Sequence, residues 1–231
     1  MMRPSARYYT LVASLPHLPR IGQVKERIPI NKTQMKKRFR MLSDEDREVV
    51  TVAWRFIAWE HQKAKVQDGA IIKEYESLLE EHPHPALRRT MEFRMNLRTI
   101  LAGFRRRQAG AKDAPVGAEG FGGKWGRHIC KYWHDEDFKL GSVYPWVREM
   151  QRYLAEGDSL KLEALVINTI WDDLDRMCQD VAFSLEHVIA FIFKWDMLDR
   201  WLDYSIPAAQ RNFESLTDKL LAAHAGEGAG E

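Results

Sequence analysis

The 231-residue chain has only two cysteines, Cys130 and Cys178, which excludes a disulfide framework. It lacks an apolar signal-peptide core near its start, because the short apolar stretch after Arg7 stops at Pro16; the sequence reads as cytoplasmic. No uninterrupted run of about 20 apolar residues occurs, so membrane association would have to come through a partner. Strand-like alternation is nearly absent. So are GxxxxGK[ST], GxGxxG and GxSxG, which leaves a nucleotide loop or a hydrolase elbow without support. FGGKWG at Phe121–Gly126 is too short for the first of these and no Ser or Thr follows it.

What the chain does have is a folded composition: 45% hydrophobic residues, 11% aromatic ones and eight tryptophans, at a length that supports a real core. Net charge is +2, but residues 1–43 carry ten Lys/Arg against one acid, and residues 113–231 carry 12 against 21. Either the basic start and the acidic end attract each other within the fold, or they form two faces that meet different partners.

The periodicity predicts helices almost throughout. Ser43 before Asp44, Glu45 and Asp46 is a hydroxyl cap with acids over the positive end of a helix dipole, opening a helix to about Lys65. A helix over Ala70–Glu81 follows, and then one from Pro85, well suited to a first helical position, to about Gln108. Six glycines and Pro115 between Gly110 and Gly126 make the one strong linker candidate. Beyond it come helices over Tyr144–Glu156, from Asp158 and Ser159 to about Asp180, from Ser184 through Leu202, and near Gln210–Ala223. The expected fold is all-α with two helical lobes: a basic lobe over 1–109, the linker 110–126, an acidic lobe over 127–224 and a disordered tail over 225–231. Arg7–Leu15 fits a strand or a short buried helix. Pro16–Arg40 should be irregular. Leu185–Leu202 is apolar around nearly its whole circumference and needs cover on several sides.

Chemistry-bearing clusters are few. His128, Cys130 and His134, with Asp135 and Asp137, are the most enzyme-like group, and Cys178 and His187 could add ligands only if the fold brought them near. The segment has no CxxC or HExxH spacing, so ordinary polar residues are the favoured reading and no metal or cofactor is expected. His82 and His84 flank prolines at a helix junction. Asp172, Asp173 and Asp175 suit a solvated face or a basic partner better than a magnesium site; on a helix, Asp172 and Asp175 share a face. Lys36, Lys37, Arg38 and Arg40, with Arg105, Arg106 and Arg107, are candidates for an acidic partner or for nucleic-acid phosphates. The tryptophans read as core.

Three stretches resemble a bacterial family encoded beside V-type ATPase genes: YYTLVASLP at Tyr8–Pro16, MEFRMNLRTILAGFRRRQAG at Met91–Gly110, and NTIWDDLDRMCQDVAFSLEHVIAFIFKWDMLDRW at Asn168–Trp201. The resemblance implies a protein similar to the C-type subunit of the V/A-type ATPase (d-type in eukaryotes). That is an all-helical, non-catalytic component that couples the central shaft to the membrane rotor ring during ATP-linked ion transport. Its partners would be other ATPase components, with no direct nucleic acid, and it would sit in the cytoplasm, peripheral to the inner membrane. At this length two lobes are expected where the usual C-type component has three. A metal-dependent helical enzyme built on His128, Cys130 and His134, and a nucleic-acid-binding helical adaptor, are the alternatives.

Overall fold

In a computed structural model, residues 6–23, 27–61, 68–81, 84–115 and 121–203 are described; they are largely helical and contain no strand. The all-α expectation holds. The expected helix near Gln210–Ala223, the tail over 225–231 and His82 lie outside the described residues.

Arg7–Leu15 resolves as helix: α1 is Ala6–Ser14, with Leu11 fully buried. The stretch expected to be irregular contains α2, Lys32–Arg38, and a 3₁₀ turn at Phe39–Met41. Its start is a reciprocal cap: Asn31 Oδ1 accepts from the Gln34 amide at 2.9 Å, and the Asn31 amide donates to Gln34 Oε1 at 3.1 Å. Two otherwise orphaned amides are thereby satisfied, which lets a basic seven-residue helix form. α3 is Asp44–His61, α4 is Asp68–Glu81 and α5 is Pro85–Gln108, with proline in its first turn. After the glycine-rich segment come α6, Gly126–Lys131, and α7, Trp146–Glu156, which ends on Gly157 at φ +70, a left-handed position glycine takes without a Cβ penalty. α8 is Ser159–Cys178, capped where Asp158 accepts from the Lys161 amide at 3.0 Å. A further helix, α9, runs over residues 185–203.

α5 is the hub. It packs on α3 and α4 from its own half of the sequence and on α6, α7 and α8 from beyond the glycine-rich segment. Buried apolar residues from Leu11 to Leu198 form one core. The described helices on both sides of 110–126 therefore share a single interior, and packing runs across that segment rather than stopping at it. The reason is visible in α5: two polar side chains on its inner face, Asn96 and Thr99, are buried and need partners. Thr99 Oγ1 donates to the Gly122 carbonyl at 2.7 Å, and the Lys124 amide donates to Asn96 Oδ1 at 3.0 Å. The described part of the linker is held against α5, and Gly123 (φ +71) comes so near that a Cβ there would meet Asn96 Oδ1 at 2.6 Å.

α9 obtains the cover its composition demands. Trp195 Nε1 donates to the Ile30 carbonyl at 2.7 Å, and its ring meets Trp54 edge-on at 6.0 Å. Phe193 meets Phe56 at 6.1 Å, also edge-on, while the Arg94 guanidinium lies 5.2 Å over its ring. Ala190, Phe191 and Lys194 border a cavity shared with the end of α1. Among the described residues no helix is long and apolar enough to cross a membrane.

Candidate interaction surfaces

The basic residues singled out in the sequence divide into two groups. Lys36, Lys37 and Arg40 are exposed, on α2 and the turn after it. Arg38 turns inward, donating from Nε to the Ser14 carbonyl at 3.0 Å and so closing the C-terminal end of α1. The Arg-rich end of α5 divides in the same way. Arg105 is exposed. Arg106 lies 5.1 Å over Phe121. Arg107 is a clamp: Nη1 donates to the carbonyls of Trp133 (3.1 Å) and Asp135 (2.6 Å), Nη2 donates to that of Glu136, and the guanidinium sits 4.4 Å over Phe138. Burial lowers its pKa from the ordinary arginine value, opposed by Glu136 and Asp137; the group remains a cation.

The acidic candidates are engaged inside the chain. Arg20 bridges Asp172 at 2.7 Å and Asp175 at 2.9 Å, and Lys194 of α9 also pairs with Asp175. Asp173 is buried on the other side of α8, within 3.5 Å of Arg89 and 3.8 Å of Arg176. Desolvation outweighs these cations and raises its pKa. Arg20, from the basic N-terminal stretch, thus meets Asp172 and Asp175 within the fold, where both aspartates keep exposed surface and Asp173 does not.

The enzyme-like segment does not converge. His128 Nε2 sits 2.9 Å from the Phe138 carbonyl, with its ring between Trp125 and Tyr132. Cys130 Sγ lies 3.9 Å from the Pro115 carbonyl, and His134 is exposed. Asp137 accepts from the amides of Lys139 and Gly141, holding a turn in which Phe138 (φ 52) and Lys139 (φ 56) are both left-handed. Among the described residues no three His, Cys, Asp or Glu side chains are placed to hold a metal ion. His84, at the foot of α5, is likewise a junction residue whose backbone carbonyl starts the helix.

Cys178 and His187 lie elsewhere, lining one cavity of about 550 Å³ with His17, Asp175 and Lys194. Burial pushes the Cys178 thiol up to about 11, with Lys194 opposing. The thiolate is the reactive form, so alkylation of Cys178 in the folded protein at pH 8 is expected to run about a hundredfold slower than for a free thiol. Unfolding in denaturant should abolish the difference, as peptide mass spectrometry after iodoacetamide would show.

One feature escaped sequence reasoning. A groove of about 410 Å³ is lined by Arg94, Arg98 and Arg105 of α5, Arg200 of α9, and Glu163 of α8, over an apolar floor that includes Leu97, Leu101 and Ile167. Its arginines are spread from residue 94 to residue 200, and only the tertiary packing brings them together. The signal available was the i, i+4, i+11 placement of Arg94, Arg98 and Arg105, which share one helical face.

The family model described as "Protein of unknown function (DUF2764)" matches residues 63–223. No curated protein and no solved structure matches the chain.

Proposed function

The chain belongs to that family of proteins of unknown function, DUF2764, and with this as premise we propose that it is a non-catalytic coupling component of a V-type ATPase, similar to the C-type subunit, between the central shaft and the membrane rotor ring. The observation that carries the reading is where the three family-like stretches lie. Tyr8–Pro16 forms α1 and borders α8 and α9, where Val12 and Leu15 share a cavity with Trp171 and Phe191. Met91–Gly110 is most of α5, which packs on α8. Asn168–Trp201 supplies much of α8 and α9. Two of these stretches, Met91–Gly110 and Asn168–Trp201, lie within the matched residues 63–223, and all three meet in one core.

A coupling component has to transmit force without deforming, and close-packed helices with interlocking aromatics have the low compressibility this requires. It also needs docking surfaces. Lys36, Lys37 and Arg40 on one side and Arg105 on another are exposed cations for acidic partners. On this reading the protein works at the cytoplasmic face and reaches the membrane through its partners in the complex.

The test is gentle purification of the tagged chain from detergent-solubilised membranes of cells that encode it. Catalytic and rotor-ring components of the ATPase should accompany it in fixed ratio. Recovery only as a free monomer would overturn the proposal.

A further inference from the structure

We propose that an aromatic row along α6 and the start of α7 binds single-stranded nucleic acid. Trp125, His128 and Tyr132 stand at i, i+3 and i+7, a spacing that puts them on one helical face. The row is continuous. Ring centroids are 4.7 Å apart from Tyr132 to His128, 5.2 Å from His128 to Trp125, 5.7 Å from Trp125 to Tyr144 and 5.1 Å from Tyr144 to Trp146. All five side chains are half-buried. Two hydrogen bonds fix the rings: Trp125 Nε1 donates to the Tyr144 hydroxyl at 3.1 Å, and His128 Nε2 donates to the Phe138 carbonyl at 2.9 Å. A pre-set row of rings at the surface is a stacking platform, and stacking accepts every base because each has a π-face.

Core packing accounts for the inner sides of Trp125, Tyr144 and Trp146; what lies outside is cationic. Lys124 Nζ is 4.9 Å over the Trp125 ring, and Lys131 and Lys139 are 5.2 Å and 4.5 Å over Tyr132. An exposed cation over a ring keeps its charge and is held weakly, so a base can displace it from the ring while a phosphate takes it up. Lys124, Arg127 and Lys131 are exposed, and among the described residues none of them pairs with a carboxylate. The acids of this stretch are spoken for elsewhere. Asp135 lies 3.8 Å from Lys139 and Asp137 lies 3.9 Å from Arg148, while Glu136 acts on Arg107. Three uncompensated cations therefore border the rings, the combination that tracks a phosphate backbone beside stacked bases. Tryptophan, tyrosine and lysine also make up membrane-interface belts. Insertion there needs projecting apolar side chains, and between residues 124 and 148 Val143 is the one large apolar side chain that is exposed. The inference does not rest on the coupling role, and none of its cations is among the basic residues singled out in the sequence.

The probe is a fluorescein-labelled oligothymidylate of about 12 nucleotides, titrated with the full chain at low salt and followed by anisotropy. Binding is expected to weaken steeply as salt rises and to fall about tenfold in the double variant Arg127→Glu/Lys131→Glu. A duplex of the same length, whose bases are already stacked, should bind about tenfold more weakly. Tyr132→Ala should lose about tenfold and Tyr132→Trp should restore it, a rescue that a merely misfolded variant could not give. No binding at low salt, equal binding of the duplex, indifference to the charge reversal, or failure of Tyr132→Trp to bind better than Tyr132→Ala would overturn the proposal. Vesicles of phosphatidylglycerol and phosphatidylcholine are titrated in parallel. If they bound with sensitivity to R127E/K131E while the oligonucleotide did not bind, the row would be a membrane-facing surface and the nucleic acid would be ruled out.

Discussion

Replacing Phe193 with alanine is expected to lower the stability of the protein by about 3–5 kcal/mol. The side chain is fully buried in α9, packed edge-on against Phe56 of α3 and beneath the guanidinium of Arg94 of α5. Truncation removes the transfer energy of a whole ring and leaves a cavity where three helices meet, with little freedom to collapse around it. It also withdraws the ring face from a buried cation, a contact worth up to about 2 kcal/mol when desolvated. In a domain of this size the effect corresponds to a fall in Tm of roughly 10 °C. Phe193→Leu should recover most of it, and Val143→Ala, at a site 52% exposed, should stay within about 0.5 kcal/mol of the parent. Denaturant unfolding curves decide the matter; a loss below about 1 kcal/mol for F193A would mean that α9 is not the spine of the core.

Arg107→Ala should be the second most damaging change, at about 2–3 kcal/mol. Its guanidinium serves the carbonyls of Trp133, Asp135 and Glu136 at once and covers the faces of Phe138 and Phe104. Those carbonyls belong to a turn with two left-handed non-glycine residues, Phe138 and Lys139, a conformation that persists only when its surroundings hold it. Without the clamp, amides over residues 132–141 should exchange faster while those in α8 change little. Arg107→Lys should rescue only a minor part, because a single ammonium cannot span three carbonyls in the plane of the guanidinium. A lysine variant as stable as the parent would contradict the clamp.

How far the sequence carries is seen in particular elements. Pro85 marked the first turn of α5, Asp158 capped α8, and Gly157 closed α7, because each is a local signal acting on its own backbone. The Asn31–Gln34 capping box was also present in the sequence, inside a basic, proline-punctuated stretch whose composition pointed to irregular structure. Periodicity could not choose between strand and helix for α1, since so short a segment gives too few turns to separate the two. The division of the basic residues was not legible at all. Lys36 and Arg38, like Arg105 and Arg107, are similar cations two positions apart, and only the carbonyls that packing presents turn one of each pair inward. Nor could the glycine-rich segment's composition show that Asn96 and Thr99 bind the backbone at Gly122 and Lys124.

A coupling role makes a demand on the complex that stability measurements do not address. Membrane vesicles from cells lacking this chain, assayed for ATP-driven ion uptake and for ATP hydrolysis together, test that role most directly. The expected result is hydrolysis that no longer builds an ion gradient, with uptake restored when the purified protein is added back. Full ATP-driven uptake in its absence would contradict the role.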